Sequence, residues 1–161
     1  MSKILLVANV SKEHIRKFYI PFIKQMQEGG WMVDVACRMD VPVPEADNAY
    51  DLPCDRNPFR GGIGKSVKRL KRILQGNDYD ILVCSTVVGA IIARLAAAPF
   101  RKHGLKVIYL CHGLHFFPGA PTLRWAMGYP VEKLLAAKTD MMITINETDC
   151  STAKKHLKIT V

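Results

Sequence analysis

The chain has 161 residues, 49% apolar and 23% charged, enough apolar material for one packed domain and too much for a disordered tail. Lys plus Arg number 23 against 14 for Asp plus Glu, a net charge of +9 that favours an anionic partner (nucleic acid, an anionic membrane face or a phosphorylated substrate) without choosing among them. The five cysteines include no C-x-x-C pair; with the odd count and no secretory leader they predict reduced thiols in the cytoplasm. No apolar run reaches the ~18 to 20 residues of a membrane span, and the richest, 87–100, contains Arg94.

Residues 3–9 (KILLVAN) form a continuous apolar run, the mark of a strand buried on both faces. Ile15, Phe18, Tyr19, Phe22, Ile23 and Met26 then fall on one stripe of a helix, with Ser11 as candidate cap, Gly29-Gly30 as stop and Pro21 as an expected kink. Residues 31–37 are a second strand, and 38–62 a long Pro-, Asp- and Asn-rich connection with a short strand near 49–52. The alternation continues with a helix over 65–75, a strand over 80–84, a helix over 88–103 and a strand over 106–111. A helix over 122–137, a strand over 141–145 and a helix over 147–157 complete it. Strands alternating with helices predict an α/β fold, a Rossmann-like three-layer sandwich with a mainly parallel sheet, spanning 1–161 as a single domain.

Ligands of such sheets bind outside the carboxyl ends of the strands, which directs attention to 9–14, 38–41, 85–89, 112–120 and 146–149. The most distinctive stretch is CHGLHFFPGAP at 111–121, where His112 and His115 follow a strand end. Neutral imidazoles there suit a polyhydroxylated or phosphorylated ligand, and a purely structural role for His112 stays open beside that. As a metal site, Cys111, His112 and His115 lack a fourth ligand, so no metal is expected. ITINETD at 143–149 offers Asn146 as a helix cap with Asp149 in capping-box spacing. Glu132 and Glu147 show no evident partner, and no Gly-x-Ser-x-Gly nucleophile elbow is present.

GGIGKS at 61–66 has the tail of a phosphate-binding loop, but the first motif position is Phe59 and Pro53, Asn57 and Pro58 stand where a buried strand is required. It reads instead as the Gly-rich entry to a basic helix carrying Lys65, Lys68, Arg69, Lys71 and Arg72. That helix is either an ordinary solvated face or a surface for anionic lipid. A nucleic-acid role has no supporting zinc-finger, aromatic-strand or helix-turn-helix element.

Taken together, KILLVANVSKEHIRKFYIPFIKQMQEGGWMVDVACR, DYDILVCSTVVGAIIARLAA, KVIYLCHGLHFFPGAP and YPVEKLLAAKTDMMITINETD resemble the amino-terminal domain of glycosyltransferase family 4, in particular its bacterial capsular and exopolysaccharide enzymes. The resemblance implies the amino-terminal, acceptor-side half of a GT-B enzyme that transfers a hexose with retention from a nucleotide sugar, UDP-linked, needing no metal or other cofactor. It implies a lipid-linked glycan acceptor and a location in the cytoplasm, peripheral at the inner face of the cell membrane, with no nucleic acid involved. By position, Asn9, Val10 and Ser11, with His14 nearby, border the donor diphosphate and acceptor. His112 corresponds to the family's catalytic HG histidine, with Gly113 and His115 beside it. Ser85 and Thr86 take the place of a frequent His-Thr pair, from which Ser85 departs. Family members are about twice this long, so the resemblance implies that this chain is inactive without a carboxyl-terminal nucleotide-sugar half in cis or as a separate subunit. The alternative is a non-catalytic binding or regulatory module on the same fold.

Overall fold

The computed structural model describes residues 2–55 and 62–161. Its strands are β1 (Lys3–Val10), β2 (Met32–Arg38), β3 (Ala49–Asp51), β4 (Ile81–Ser85), β5 (Lys106–Cys111) and β6 (Met141–Thr144). They form one sheet in the order β3-β2-β1-β4-β5-β6, every neighbouring pair parallel. The expected layout is therefore present, with a wholly parallel sheet and with the short third strand paired to β2. The chain direction across the sheet reverses between β1 and β4, so their carboxyl ends open a crevice at the switch point.

One face of the sheet, through Ile4, Leu6, Ala8, Val33 and Val35, packs on Ile15, Tyr19 and Ile23. These belong to a π-helical segment, Ser11–Tyr19, that runs directly into α1 (Ile20–Glu28). Pro21 has no N–H for the Lys17 carbonyl of a regular α-helix, and it stands where the wide turns give way to regular ones. Ser11 does not cap the helix, since its hydroxyl is used elsewhere, and Phe18, expected inward, is exposed.

The other face carries α2 (Ile63–Gln75), α3 (Val87–Ala97), α4 (Thr122–Ala136) and α5 (Glu147–Thr152), the last prolonged by a π-helical turn, Ala153–Leu157. Leu70 and Leu74 of α2 are buried as the apolar spacing predicts, with Ile63 and Val67 packed against them. The helix expected over 88–103 is divided: α3 stops at Ala97, Pro99 interrupts the hydrogen-bond ladder, and Phe100–His103 forms a separate 3-10 turn. Gly61 and residues 57–59, on which the phosphate-loop reading turned, lie outside the described residues. Gly62, at φ +87°, leads straight into α2.

Candidate functional site: the loops after β1, β4 and β5

Asn9 is the penultimate residue of β1, with its side chain turned across the switch point. Its Oδ1 accepts from Thr86 Oγ1 at 2.7 Å and from the Gly89 N–H at 2.5 Å, so one buried amide satisfies the first turn of α3. The helix approaches closely here: a Cβ at Gly89 would lie 2.9 Å from the Ala8 carbonyl carbon and 2.8 Å from Thr86 Oγ1. Thr86 takes φ +64°, ψ 154°, a region costly for a β-branched residue and tolerated where surrounding contacts hold it. Ser85 is buried on the opposite face, beside Tyr19, whose hydroxyl burial pushes above its ordinary range.

Ser11 is wholly buried and ties the β1 loop to the β2 loop. Its Oγ lies 2.6 Å from Asp40 Oδ1 and 2.7 Å from the Val41 carbonyl oxygen, and accepts from the Val41 N–H at 3.0 Å. Burial opposes ionisation of Asp40, but the Ser11 hydroxyl and the Lys12 N–H outweigh it and hold that carboxyl below the usual range. Val10 is buried and His14 is half-buried near the start of the π-helical segment. The side chains of Asn9, Val10, Ser11 and Ser85 are thus committed to the fold, and a ligand at this corner meets them only through neighbouring main chain and Thr86.

The loop after β5 is the open part. Burial pushes the Cys111 thiol up and keeps it neutral in the core, whereas His112 is exposed, its ring 6.2 Å from that of Phe18. Gly113 has φ +149°, which any side chain would strain. The loop is then pinned from two sides. Asp149 receives the Leu114 N–H at 3.2 Å while Asn146 Oδ1 caps α5 at the Asp149 N–H, 2.8 Å, so the TINETD segment is both a cap and an anchor. Phe116, fully buried, packs at 5.2 Å from Trp125 and 5.6 Å from Tyr129 of α4, and Trp125 donates to the Phe117 carbonyl at 3.2 Å.

Behind this loop, α3 and α4 part to leave a groove of about 670 Å³ with Ile91, Leu123, Met127 and Val131 among its walls and His115 at its mouth. Its floor is Glu132, which is not partnerless: Arg94 grips both carboxylate oxygens, at 2.6 and 2.9 Å. The structure therefore brings Asn9, Thr86, His112 and Gly113 to one edge of the sheet and sets His115 over the groove. The basic residues stand apart, Lys65, Lys68, Arg69 and Arg72 exposed and Lys71 half-buried on α2, in the same helical layer as α4. Among the described residues no His, Cys, Asp and Glu side chains cluster as a metal site, and all five cysteines are free thiols.

The sequence model of the Glycosyl transferase 4-like family matches residues 3–146, from the first strand to the cap Asn146. The chain belongs to that family. EpsD of Bacillus subtilis (strain 168), a glycosyltransferase by assignment, is 43% identical over 152 residues, 94% of this chain and 40% of EpsD. The chain thus spans less than half the length of this family relative. Solved structures agree on the fold. UDP-GlcNAc 2-epimerase from Neisseria meningitidis, bound to UDP-GlcNAc, superposes with TM-score 0.64 at 13% identity over 97% of this chain and 42% of that one. Sucrose-phosphate synthase from Thermosynechococcus elongatus does so with TM-score 0.61 at 15% identity over 99% of this chain and 85% of that one. The glycosyl transferase 4-like chain thus has the Rossmann-like parallel α/β fold found in GT-B enzymes.

Sequence reasoning missed the Arg94 to Glu132 pair and the exposure of Phe18. Only the presence of an arginine in an otherwise apolar helix signalled the first, since a buried cation needs a counter-charge.

Proposed function

We propose that this chain is the acceptor-binding half of a retaining hexosyltransferase that uses a UDP-linked sugar and a lipid-linked glycan acceptor in cell-surface polysaccharide synthesis. The observation that carries the reading is the junction of an open polar loop, His112 to His115, with the apolar groove between α3 and α4. A molecule with a sugar or phosphate head and a hydrocarbon tail fits that junction, where a free sugar would leave the groove unused. The name of EpsD and the nucleotide sugar held by the Neisseria epimerase support the substrate classes.

In this reaction the bond from the anomeric carbon to the diphosphate breaks and a bond to an acceptor hydroxyl oxygen forms. The hydroxyl proton leaves with the departing nucleotide. His112 contacts the donor sugar from the amino-terminal side, and Gly113, which carries no side chain, leaves room beside it. The nucleotide is held by a second half, in cis or as a separate subunit, and the isolated chain is inactive.

The chain acts at the inner face of the cell membrane. No helix among the described residues is long and apolar enough to cross a bilayer. The exposed stripe Leu123, Met127, Val131 and Leu134 on α4 and the basic face of α2 point out of one helical layer, the combination that binds an anionic lipid surface from the side.

The test joins this chain to the carboxyl-terminal part of EpsD and supplies radiolabelled UDP-sugars with polyprenyl-diphosphate-linked glycan. Label passing to the organic-extractable acceptor supports the reading. A folded two-half protein that binds the lipid-linked glycan and transfers nothing makes the chain a non-catalytic binding module.

A further inference from the structure

Phe18 is the penultimate residue of the π-helical segment Ser11–Tyr19 and stands 61% exposed. Among the described residues before α3, no other large apolar side chain is open to solvent in this way. A single exposed apolar residue is ordinary on a protein surface, so exposure alone assigns nothing. Two further observations do. π-helical turns are rare and frequent at functional positions, and here they take the ring out of the core stripe to which its spacing assigns it. The ring then lies 6.2 Å from that of His112, with the two planes inclined at 43°. In the strand order β1-β4-β5, the segment packed over β1 therefore reaches past β4 to the loop after β5.

The surroundings of these two rings combine apolar and polar surface. Register sets Ser85, the last residue of β4, beside Leu110 of β5. A Cβ at Gly113 would meet nothing within 4 Å, so the space next to the imidazole is open. An exposed aromatic face, an imidazole and free space beside them fit a ligand with one apolar face and a rim of donors and acceptors, which describes a pyranose ring. A hydrocarbon tail would leave the imidazole unused, and a lone phosphate would leave the Phe18 face unused.

The geometry points to Phe18 as the platform on which the accepting sugar ring of the glycan stacks, next to the donor sugar at His112. This rests on the reading of the chain as half of a sugar transferase. Reacting atoms have to come within about 3 to 3.5 Å before the new bond forms, so the accepting ring must rest against the donor ring. His112 serves the donor side, and Phe18 is the aromatic ring beside it. The lipid end of the same acceptor lies in the groove between α3 and α4, and the glycan crosses the His112 to His115 loop to reach Phe18.

The test uses the 161-residue chain, with the methyl glycosides of glucose, galactose and N-acetylglucosamine as probes. Titration is followed by NMR at the Phe18 ring and the Gly113 amide. At least one glycoside is expected to shift both signals saturably, with upfield shifts of its own ring C–H protons, the mark of an aromatic face. Phe18→Leu keeps an apolar side chain without the ring and is expected to weaken that binding about fivefold, whereas Phe18→Trp restores it. Because the residue is exposed, both variants should unfold as the parent protein does. Absence of saturable shifts in the parent with every probe overturns the inference, and so does equal binding by Phe18→Leu. In the fusion to the carboxyl-terminal part of EpsD, Phe18→Leu is expected to raise KM for the lipid-linked acceptor about fivefold and to change kcat by less. Lost stability of that fusion in place of the KM change makes Phe18 a packing residue and also overturns the inference. Glycoside binding at Phe18 in a fusion that transfers nothing leaves the sugar platform standing and removes the transferase reading. Transfer with an unchanged KM in Phe18→Leu does the reverse.

Discussion

Arg94 on α3 and Glu132 on α4 are joined by two parallel hydrogen bonds, with the guanidinium wholly buried and the carboxylate facing the groove. Arg94 Nε also donates to the Ala90 carbonyl at 3.1 Å, and its guanidinium carbon lies 4.2 Å from the centre of the Tyr109 ring. The pair ties α3 to α4, the two helices that form the groove walls, and each of the three guanidinium nitrogens has an acceptor. It is a two-component device, so its parts are not interchangeable with apolar residues one at a time.

Glu132→Ala leaves a buried cation without its counter-charge and is expected to cost about 3 to 5 kcal/mol. The double replacement Arg94→Met with Glu132→Leu is expected to cost far less, because neither charge remains to be desolvated. Urea unfolding of the two proteins checks this. A single variant as stable as the double one would show that water reaches Arg94.

Gly89 is required by space. A methyl group there meets main-chain atoms of Ala8 at 2.9 and 3.0 Å, and main chain cannot rotate away. Gly89→Ala is expected to destabilise by about 1 to 3 kcal/mol through displacement of α3. The hydrogen bond from the Gly89 N–H to Asn9 should weaken with it, and faster amide exchange at Gly89 than in the parent protein is the expected sign. An unchanged melting temperature would contradict the close approach.

The sheet was legible in the sequence because each strand is a short apolar run closed by polar or turn residues, and the helical spacing of Leu70 and Leu74 named the inner face of α2 correctly. Asn146 as a cap was legible from local spacing, and its side chain does accept the Asp149 N–H. What stayed hidden depends on groups far apart in the chain. Glu132 pairs across 38 positions, and Ser11 reaches a carboxylate 29 positions away instead of the helix it precedes. Phe18 fits the helical stripe by spacing, but the wider turns of the π-helical segment rotate it out of the core. The roles of Asn9 and Ser11 were assigned by position along the first strand, and position alone does not tell a side chain that closes the fold from one that faces the crevice.

Asp140 gives the fold an acid-sensitive joint. Its carboxylate receives Arg101 Nε and Nη2 at 3.0 and 2.9 Å and the Val107 N–H at 2.8 Å. The Arg101 bonds, helped by Val107 and opposed by burial, hold its carboxyl below the usual range. A carboxyl with a depressed folded pKa contributes fully above its unfolded pKa of ~3.9, and the contribution is lost as pH falls through the folded value. The stability gap between the parent protein and Asp140→Asn should therefore be constant from neutrality to about pH 5 and shrink below about pH 4. Unfolding free energies at three pH values check it, and a gap unchanged in acid would place the contribution in packing.

Replacing Lys68, Arg69, Lys71 and Arg72 of α2 with Gln removes charges that contribute about 1 kcal/mol each near an anionic surface. Binding to vesicles rich in anionic lipid should weaken steeply while binding to neutral vesicles stays the same. Because Lys68, Arg69 and Arg72 are exposed and Lys71 half-buried, unfolding should change by little. Undiminished vesicle binding would shift the membrane contact to the apolar stripe of α4, where Leu123→Ser with Met127→Ser tests it.

His112 separates the chemical role of the β5 loop from its structural one. The loop is held by Asp149, Phe116 and Trp125, none of which needs the imidazole, and His112 itself is exposed with the Phe18 ring as its near neighbour. His112→Ala is expected to change stability by no more than about 0.5 kcal/mol. In the joined two-half protein the same change should lower kcat/KM for sugar transfer tenfold or more, a loss of about 1.4 kcal/mol or greater in transition-state stabilisation. Phe18→Ala, which frees the ring without removing the imidazole, should give a smaller loss of the same kind. Parallel losses of stability and transfer in His112→Ala would instead make the histidine a tie of the loop, and the donor contact would then have to come from the main chain at Gly113.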